Sequence, residues 1–246
     1  MDSGNFSDNP TPNGEIKSRL LLQGMGRLGY AAANVAERDL KAGYDRLVER
    51  ADAAGFPLIS SNIVRRDTGE PVFPTHLLAR AVSTDGSREL RVGLIGTARY
   101  NPVFRKPGPD GVDLAIVHPV EPIRRAVAEL QAAEAEVIVL LAALHREDAR
   151  RMLSELPGVD YVVGSYGGFF GTLEDAASGA WLLYSGNQGK RLGESRIFLD
   201  AEGRRGEPMH RLHYLIATYP DDPGMLEFLT EAGAQAARER AEAATV

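Results

Sequence analysis

VIVLLAALHREDARRMLSELPGVDYVVGS, residues 137–165, decides the fold. Val137 to Leu144 is a continuous apolar run, the pattern of a strand covered on both faces. Residues 146–156 predict a helix that closes at Pro157-Gly158. A second apolar run, Val159 to Val163, then enters a loop of glycines around Tyr166. Strand, helix and strand in this order mark the parallel middle of a sheet. In such proteins the loop after the strand is where chemistry usually sits. This loop carries no carboxylate, imidazole or thiol.

Working outward, PVEPIRRAVAELQAAEAE (119–136) is an amphipathic helix with Ile123, Val127 and Leu130 on one face. FPTHLLARAV (73–82) and ELRVGLIGTA (89–98) flank STDGS and predict a hairpin turning near Asp85-Gly86. The Pro- and Gly-rich stretch 99–119 reads as a long surface loop. Toward the N-terminus, residues 15–28 and 40–54 predict helices, the second ended by Gly55 with Pro57 beyond it. Tyr30 to Asn34 is a short segment, and 57–61 predicts a strand. After residue 170, WLLYSG, ESRIFLD and MHRLHYLIATY read as antiparallel strands between glycine-rich turns. A helix from Gly224 to Ala244 follows.

The chain has 246 residues, 43% hydrophobic and 25% charged, the composition of a globular protein with a substantial core. A net charge of −6 argues against a general nucleic-acid binder. With no cysteine there is no disulfide, thiolate metal site or cysteine nucleophile. No apolar run is long enough to span a membrane. The opening MDSGNFSDNPTPNGE is polar and does not read as a signal peptide. GMGRLG (24–29) sits within or at the end of a helix rather than between strand and helix, so it is not a nucleotide loop. No GxSxG elbow accompanies Ser60, Ser61 or Ser165. The histidines, His76, His118, His145, His210 and His213, lack helical metal-pair spacing and read as structural or surface residues.

The order of elements resembles the metallophosphoesterase (calcineurin-like) domain of the 5′-nucleotidase family. The strings that carry the likeness are GYAAANVAERDLKAG (29–43), AGFPLISSNIV (54–64), GEPVFPTHLL (69–78), LRVGLIGTA (90–98), the 137–165 stretch and SGNQGKRLGESRIFLD (185–200). DSGNF (2–6) is similar to the family's DAGDxF. The resemblance covers roughly residues 2–220 and lies in order and spacing rather than in one motif. It implies an α/β fold, a metallophosphoesterase-like mixed β-sandwich flanked by helices. The domain would span 1–220. Residues 221–246 would be a C-terminal helix, part of the same domain or the start of a linker. The family's N-terminal strand with its DxH motif has no counterpart here. That absence predicts exposed strand edges unless the chain rearranges or associates, hence a homo-oligomer or a truncated gene product. Relatives of this arrangement are commonly exported or periplasmic, and the compartment stays open.

The family holds two divalent metals with DxH, GD, GNHE, a lone His and GHxH motifs. Two metals together clamp a phosphate and generate hydroxide at neutral pH. They need carboxylate, amide and imidazole donors on rigid strand ends. By the resemblance, the bridging GD aspartate falls on Asn5. GNHE falls on Ala36-Glu37-Arg38-Asp39, so Glu37 replaces the asparagine ligand and Arg38 the histidine that contacts the leaving phosphate. The lone His falls on Ala143; His145 comes two residues later and is expected to point elsewhere. GHxH falls on Ser165-Tyr166-Gly167-Gly168.

Two readings of these residues stand. In the first, the domain has lost catalysis, takes no cofactor, and is a binding or scaffolding module for a nucleotide or another phosphate-containing small molecule. In the second, an active phosphoesterase or nucleotidase uses one divalent metal (Mn, Zn or Mg) held by Asn5, Glu37 and Asp39, with Arg38 as the catalytic group. A third class is an interaction protein whose partner docks on 99–119. Arg38 either grips an anion with its planar fork or is a surface arginine paired with Glu37 or Asp39. Glu37 and Asp39 are metal ligands or first-turn acids favoured by the helix dipole. Tyr166 either stacks on a ligand base or plugs the vacated metal cavity.

Overall fold

The computed structural model describes residues 1–166, 168–200, 202 and 205–243. Asp2 forms a parallel bridge to Ala33, and helix α1 spans Pro12–Arg27. Thr11 caps α1, its Oγ1 accepting from the Gly14 N–H, and Pro12 occupies the first turn where no N–H is needed. Strand β1 (Ala33–Asn34) leads into a 3₁₀ turn, Glu37–Ala42, and then α2 (Tyr44–Ala54). Gly43, at φ 104°, separates the two, so the helix predicted over 40–54 is divided there. Gly55, in the left-handed region at φ 75°, ends α2.

Next come β2 (Leu58–Ile59), β3 (Ile63–Arg65), β4 (His76–Val82) and β5 (Glu89–Ala98). The hairpin of β4 and β5 is antiparallel, as its turn signal predicts. The predicted surface loop over 99–119 is instead β6 (Asn101–Pro107), a short turn at Pro109–Gly111 and β7 (Asp113–Ile116). Strands β3, β7 and β6 form a three-stranded sheet. The prolines and glycines mark the turn between strands, while Phe104, Leu114 and Ile116 supply its buried side. The sequence reading weighted the turn residues over these alternating apolar positions.

Helix α3 (Val120–Ala132), β8 (Val137–Ala143), α4 (Arg146–Leu153) and β9 (Tyr161–Gly164) realise the 137–165 reading. They are followed by β10 (Gly171–Glu174), β11 (Trp181–Tyr184), β12 (Arg191–Arg196), β13 (Met209–Tyr214) and α5 (Pro223–Ala243). Ala244, the predicted end of that helix, lies outside the described residues, as do Thr245 and Val246. A six-stranded sheet has the order β10-β11-β9-β8-β5-β4. Its four inner strands are parallel and both edges antiparallel. WLLY, read as antiparallel, is thus parallel to β9, and only β10 folds back on it.

Every residue of β8 is buried. Ile138, Leu140 and Ala142 pack under α3 and α4, while Val137, Val139 and Leu141 face the opposite layer with Tyr161 and Leu94. That second layer is discontinuous. It comprises the β1–β2 pair, the β3-β7-β6 sheet and the separate β12–β13 hairpin. Between the two layers opens a groove of about 2770 Å³, lined by Val92, Val137, Val139 and Val163 of the sheet and by β12 along its rim. Helix α5 closes the other side against α1, burying Phe228, Ala232 and Ala236.

At the C-terminal end of β5 the layers nearly touch. A Cβ on Gly96 would stand 2.5 Å from the Ile59 carbonyl oxygen and 2.7 Å from Asn34 Oδ1. Gly96→Ala should therefore lower stability by about 2 kcal/mol or more, seen as a lower urea midpoint at unchanged m value. Gly193→Ala, where no atom lies within 4 Å of the added carbon, should stay within about 0.5 kcal/mol of wild type.

Candidate functional site

The loops that follow β1, β5, β8, β9 and β11 meet at one end of the groove. Their geometry starts from Asp39, which is 1% exposed. Its Oδ2 accepts from the Asn5 and Ala36 backbone N–H groups at 2.8 and 3.0 Å, and its Oδ1 from the Ser7 N–H at 2.9 Å. One carboxylate thus ties the segment 5–7 to the 3₁₀ turn. Asn5 is held in the left-handed region, φ 64°, which asparagine tolerates better than most residues. Its Oδ1 accepts from the Arg38 N–H at 3.1 Å.

The neighbouring side chains turn outward. Glu37 Oε2 accepts from Asn101 Nδ2 at 2.8 Å at the surface. Arg38 pairs at 3.7 Å with Asp8, rather than with Glu37 or Asp39. Ala143, at the end of β8, is buried and offers no donor. Tyr166 meets His145 edge-on, ring centroids 4.4 Å apart, with the Arg99 guanidinium 5.9 Å from its ring. Through this contact His145, at the turn into α4, meets the loop after β9. Gly167 lies outside the described residues.

No family model matches the chain. The 2′,3′-cyclic-nucleotide 2′-phosphodiesterase/3′-nucleotidase of Salmonella typhimurium is 25% identical over 155 residues, 58% of this chain and 24% of that protein. The chain spans about a quarter of the length of the curated relatives it matches. A calcineurin-like phosphoesterase from Bacillus subtilis superposes on 100% of this chain and 84% of its own, with TM-score 0.76 and 17% identity. A 5′-nucleotidase precursor from Thermus thermophilus covers 95% of this chain and 48% of its own, with TM-score 0.75 and 20% identity. The chain has the calcineurin-like phosphoesterase fold of the 5′-nucleotidases.

In that phosphoesterase fold the metal donors would come from the loops just described. Among the described residues no three side chains of His, Cys, Asp or Glu converge. Asp39 has both oxygens committed to backbone amides, and Asn5 contributes an amide without charge. A pair of divalent metals draws on carboxylate and imidazole donors, and no such cluster stands among the described residues. Tyr166 is 37% exposed and lines the groove. The enclosed tyrosine is Tyr184, whose ring occupies the space above Gly164, where a Cβ would lie 2.1 Å from it, and whose hydroxyl donates to the Leu144 carbonyl at 3.2 Å.

Sequence reasoning missed several residues that the phosphoesterase fold brings to this end. Arg99, Phe170 and Arg191 are among them. The signal for Arg191 was present in the string SGNQGKR, a glycine-rich turn ending in a cation.

Burial pushes the Asp39 carboxyl up to about 6, against the opposing pull of the Ser7, Ala36 and Asn5 amides. Its ordinary value is 3.8. The folded state therefore holds the Asp39 proton between these two values while the unfolded chain releases it. The stability this contributes is full below pH 3.8 and is lost as pH rises through about 6. Urea midpoints measured from pH 3.5 to 7 should reveal the effect when wild type is compared with Asp39→Asn. Their stability difference should shift against wild type by up to about 3 kcal/mol with rising pH. Parallel pH curves would refute the assignment.

Proposed function

We propose that this phosphoesterase-fold domain binds a phosphate-bearing small molecule, such as a nucleotide, without dinuclear hydrolysis. One observation carries the reading. The strand ends where the fold's chemistry would sit present Asn5, Ala143, Ser165 and Tyr166, and the one buried acid there, Asp39, is consumed as a backbone clamp. A two-metal mechanism needs charge to hold both cations and to form the hydroxide. Here Glu37 remains as a surface carboxylate bonded to Asn101. What is retained is the concave frame at the end of a parallel sheet, with arginines and aromatic rings around its mouth. Such a frame suits a small anion carrying a planar group.

The nucleotidase and phosphodiesterase names of the relatives support phosphate esters as the ligand class. Because the chain spans about a quarter of those curated relatives, their activities are not transferred whole.

Purified protein incubated with Mn²⁺ or Zn²⁺ and dialysed should retain far less than one ion per chain by elemental analysis. It should hydrolyse neither nucleotides nor p-nitrophenyl phosphate above background, while calorimetry detects AMP binding in the micromolar to millimolar range. Metal-dependent turnover lost on Glu37→Gln would overturn this reading in favour of a single-metal hydrolase built on Asn5, Glu37 and Asp39 with Arg38.

A further inference from the structure

Arg191 opens β12 and lies against the loop that follows β11. Its guanidinium carbon is 3.7 Å from the centroid of the Phe170 ring and 5.0 Å from that of Tyr214. Two aromatic rings thus hold the planar fork in place. Among the described residues no carboxylate pairs with it, and its Nε–H is buried without an acceptor. Of the other arginines lining the groove, Arg38 pairs with Asp8, Arg88 with Glu136 and Arg196 with Glu194; Arg99 and Arg211 have no carboxylate partner among the described residues, but neither is clasped between two rings as Arg191 is. A positioned, partly desolvated cation with no counter-charge calls for an explanation, because shielded donors and charges are normally matched.

The backbone beside the fork is arranged for close approach. Gly186 sits at φ 87°, and a Cβ there would come within 2.8 Å of Arg191 Nη1. Gln188 and Gly189 also have positive φ, 61° and 62°. Glycine at 186 keeps the edge of the guanidinium clear where any side chain would crowd it.

We propose that Arg191, oriented by Phe170 and Tyr214, is the residue that holds the anionic group of the ligand, a phosphate monoester or inorganic phosphate. The proposal rests on the binding reading given above and moves its anion contact away from Arg38. Arginine suits the role because its planar fork meets two phosphate oxygens at once. Arg38 already has an acidic neighbour, whereas Arg191 has a charge to be neutralised.

The test is calorimetric titration of the full chain with inorganic phosphate, AMP and adenosine. Wild type should bind phosphate and AMP but not adenosine. Arg191→Met should weaken both anions at least tenfold, and Arg191→Lys should do so less severely, since charge survives but the fork does not. Arg196→Met, which removes the same charge from the same strand, should bind as wild type does. If Arg191→Met binds AMP as tightly as wild type, the assignment to Arg191 is wrong and the binding reading survives. If wild type binds none of the probes, both fall. Should Arg191→Met fail to fold, the Arg191 Nε–Hε cross-peak of labelled wild type decides. A saturable shift with phosphate supports the proposal, and a stationary peak while backbone amides elsewhere titrate overturns it.

Discussion

Two buried asparagine amides hold the layers of this protein in register. Asn34 Nδ2 donates to the carbonyls of Ser3 and Thr97, each at 2.8 Å. Asn62 Nδ2 donates to the carbonyls of Ala98 and Val117, each at 2.9 Å, while its Oδ1 accepts from the Ala98 N–H at 2.8 Å. Both side chains are fully enclosed. Each therefore fixes the end of β5 against a different strand, and misplacing one would strand several buried polar groups at about 1–3 kcal/mol apiece. The absence of a side chain at Gly96 lets the backbones come close enough for this stitching.

From that anchor the local conformations follow. With Ser3 tied to Asn34, the chain at Gly4 and Asn5 must turn through positive φ, and Asp39 then receives the amides of residues 5 and 7. A carboxylate that reads in sequence as a first-turn acid or a metal ligand becomes a backbone clamp. The reason is geometric. Three N–H groups, of Asn5, Ser7 and Ala36, converge on it from two distant segments, and only the folded chain brings them together. On the proposed reading this is how a frame built for cations persists without them: backbone amides have taken over the carboxylate.

Much of the fold was legible in the sequence. The strongly periodic pieces, α3, the buried β8 and the β4–β5 hairpin, have patterns with one physical solution. The strand order at the parallel centre followed from the strand-helix-strand unit. What stayed hidden was of two kinds. In β6 and β7, prolines and glycines outweighed the alternating Phe104, Leu114 and Ile116, because turn residues dominate a short window. At the candidate site, the resemblance named Asn5, Glu37, Arg38, Asp39 and Tyr166 by position, but not their partners. Hydrogen-bond commitments such as Asn101 to Glu37, 64 residues apart, have no local signature. The string SGNQGKR marks a cation at Arg191, but its meaning lies in two rings contributed by other segments.

The pairing of the first helix with the last has a consequence for synthesis on the ribosome. Arg19 donates two hydrogen bonds of 2.7 Å to the Glu239 carboxylate across 220 residues of chain, and Arg27 lies 4.6 Å from the Phe228 ring centroid. The face of α1 that receives α5 stays uncovered until about 220 further residues have been translated. At 5–20 residues per second that interval is roughly 10–45 s. Throughout it the nascent chain lacks the cover that Phe228 gives to Gly24 and Arg27.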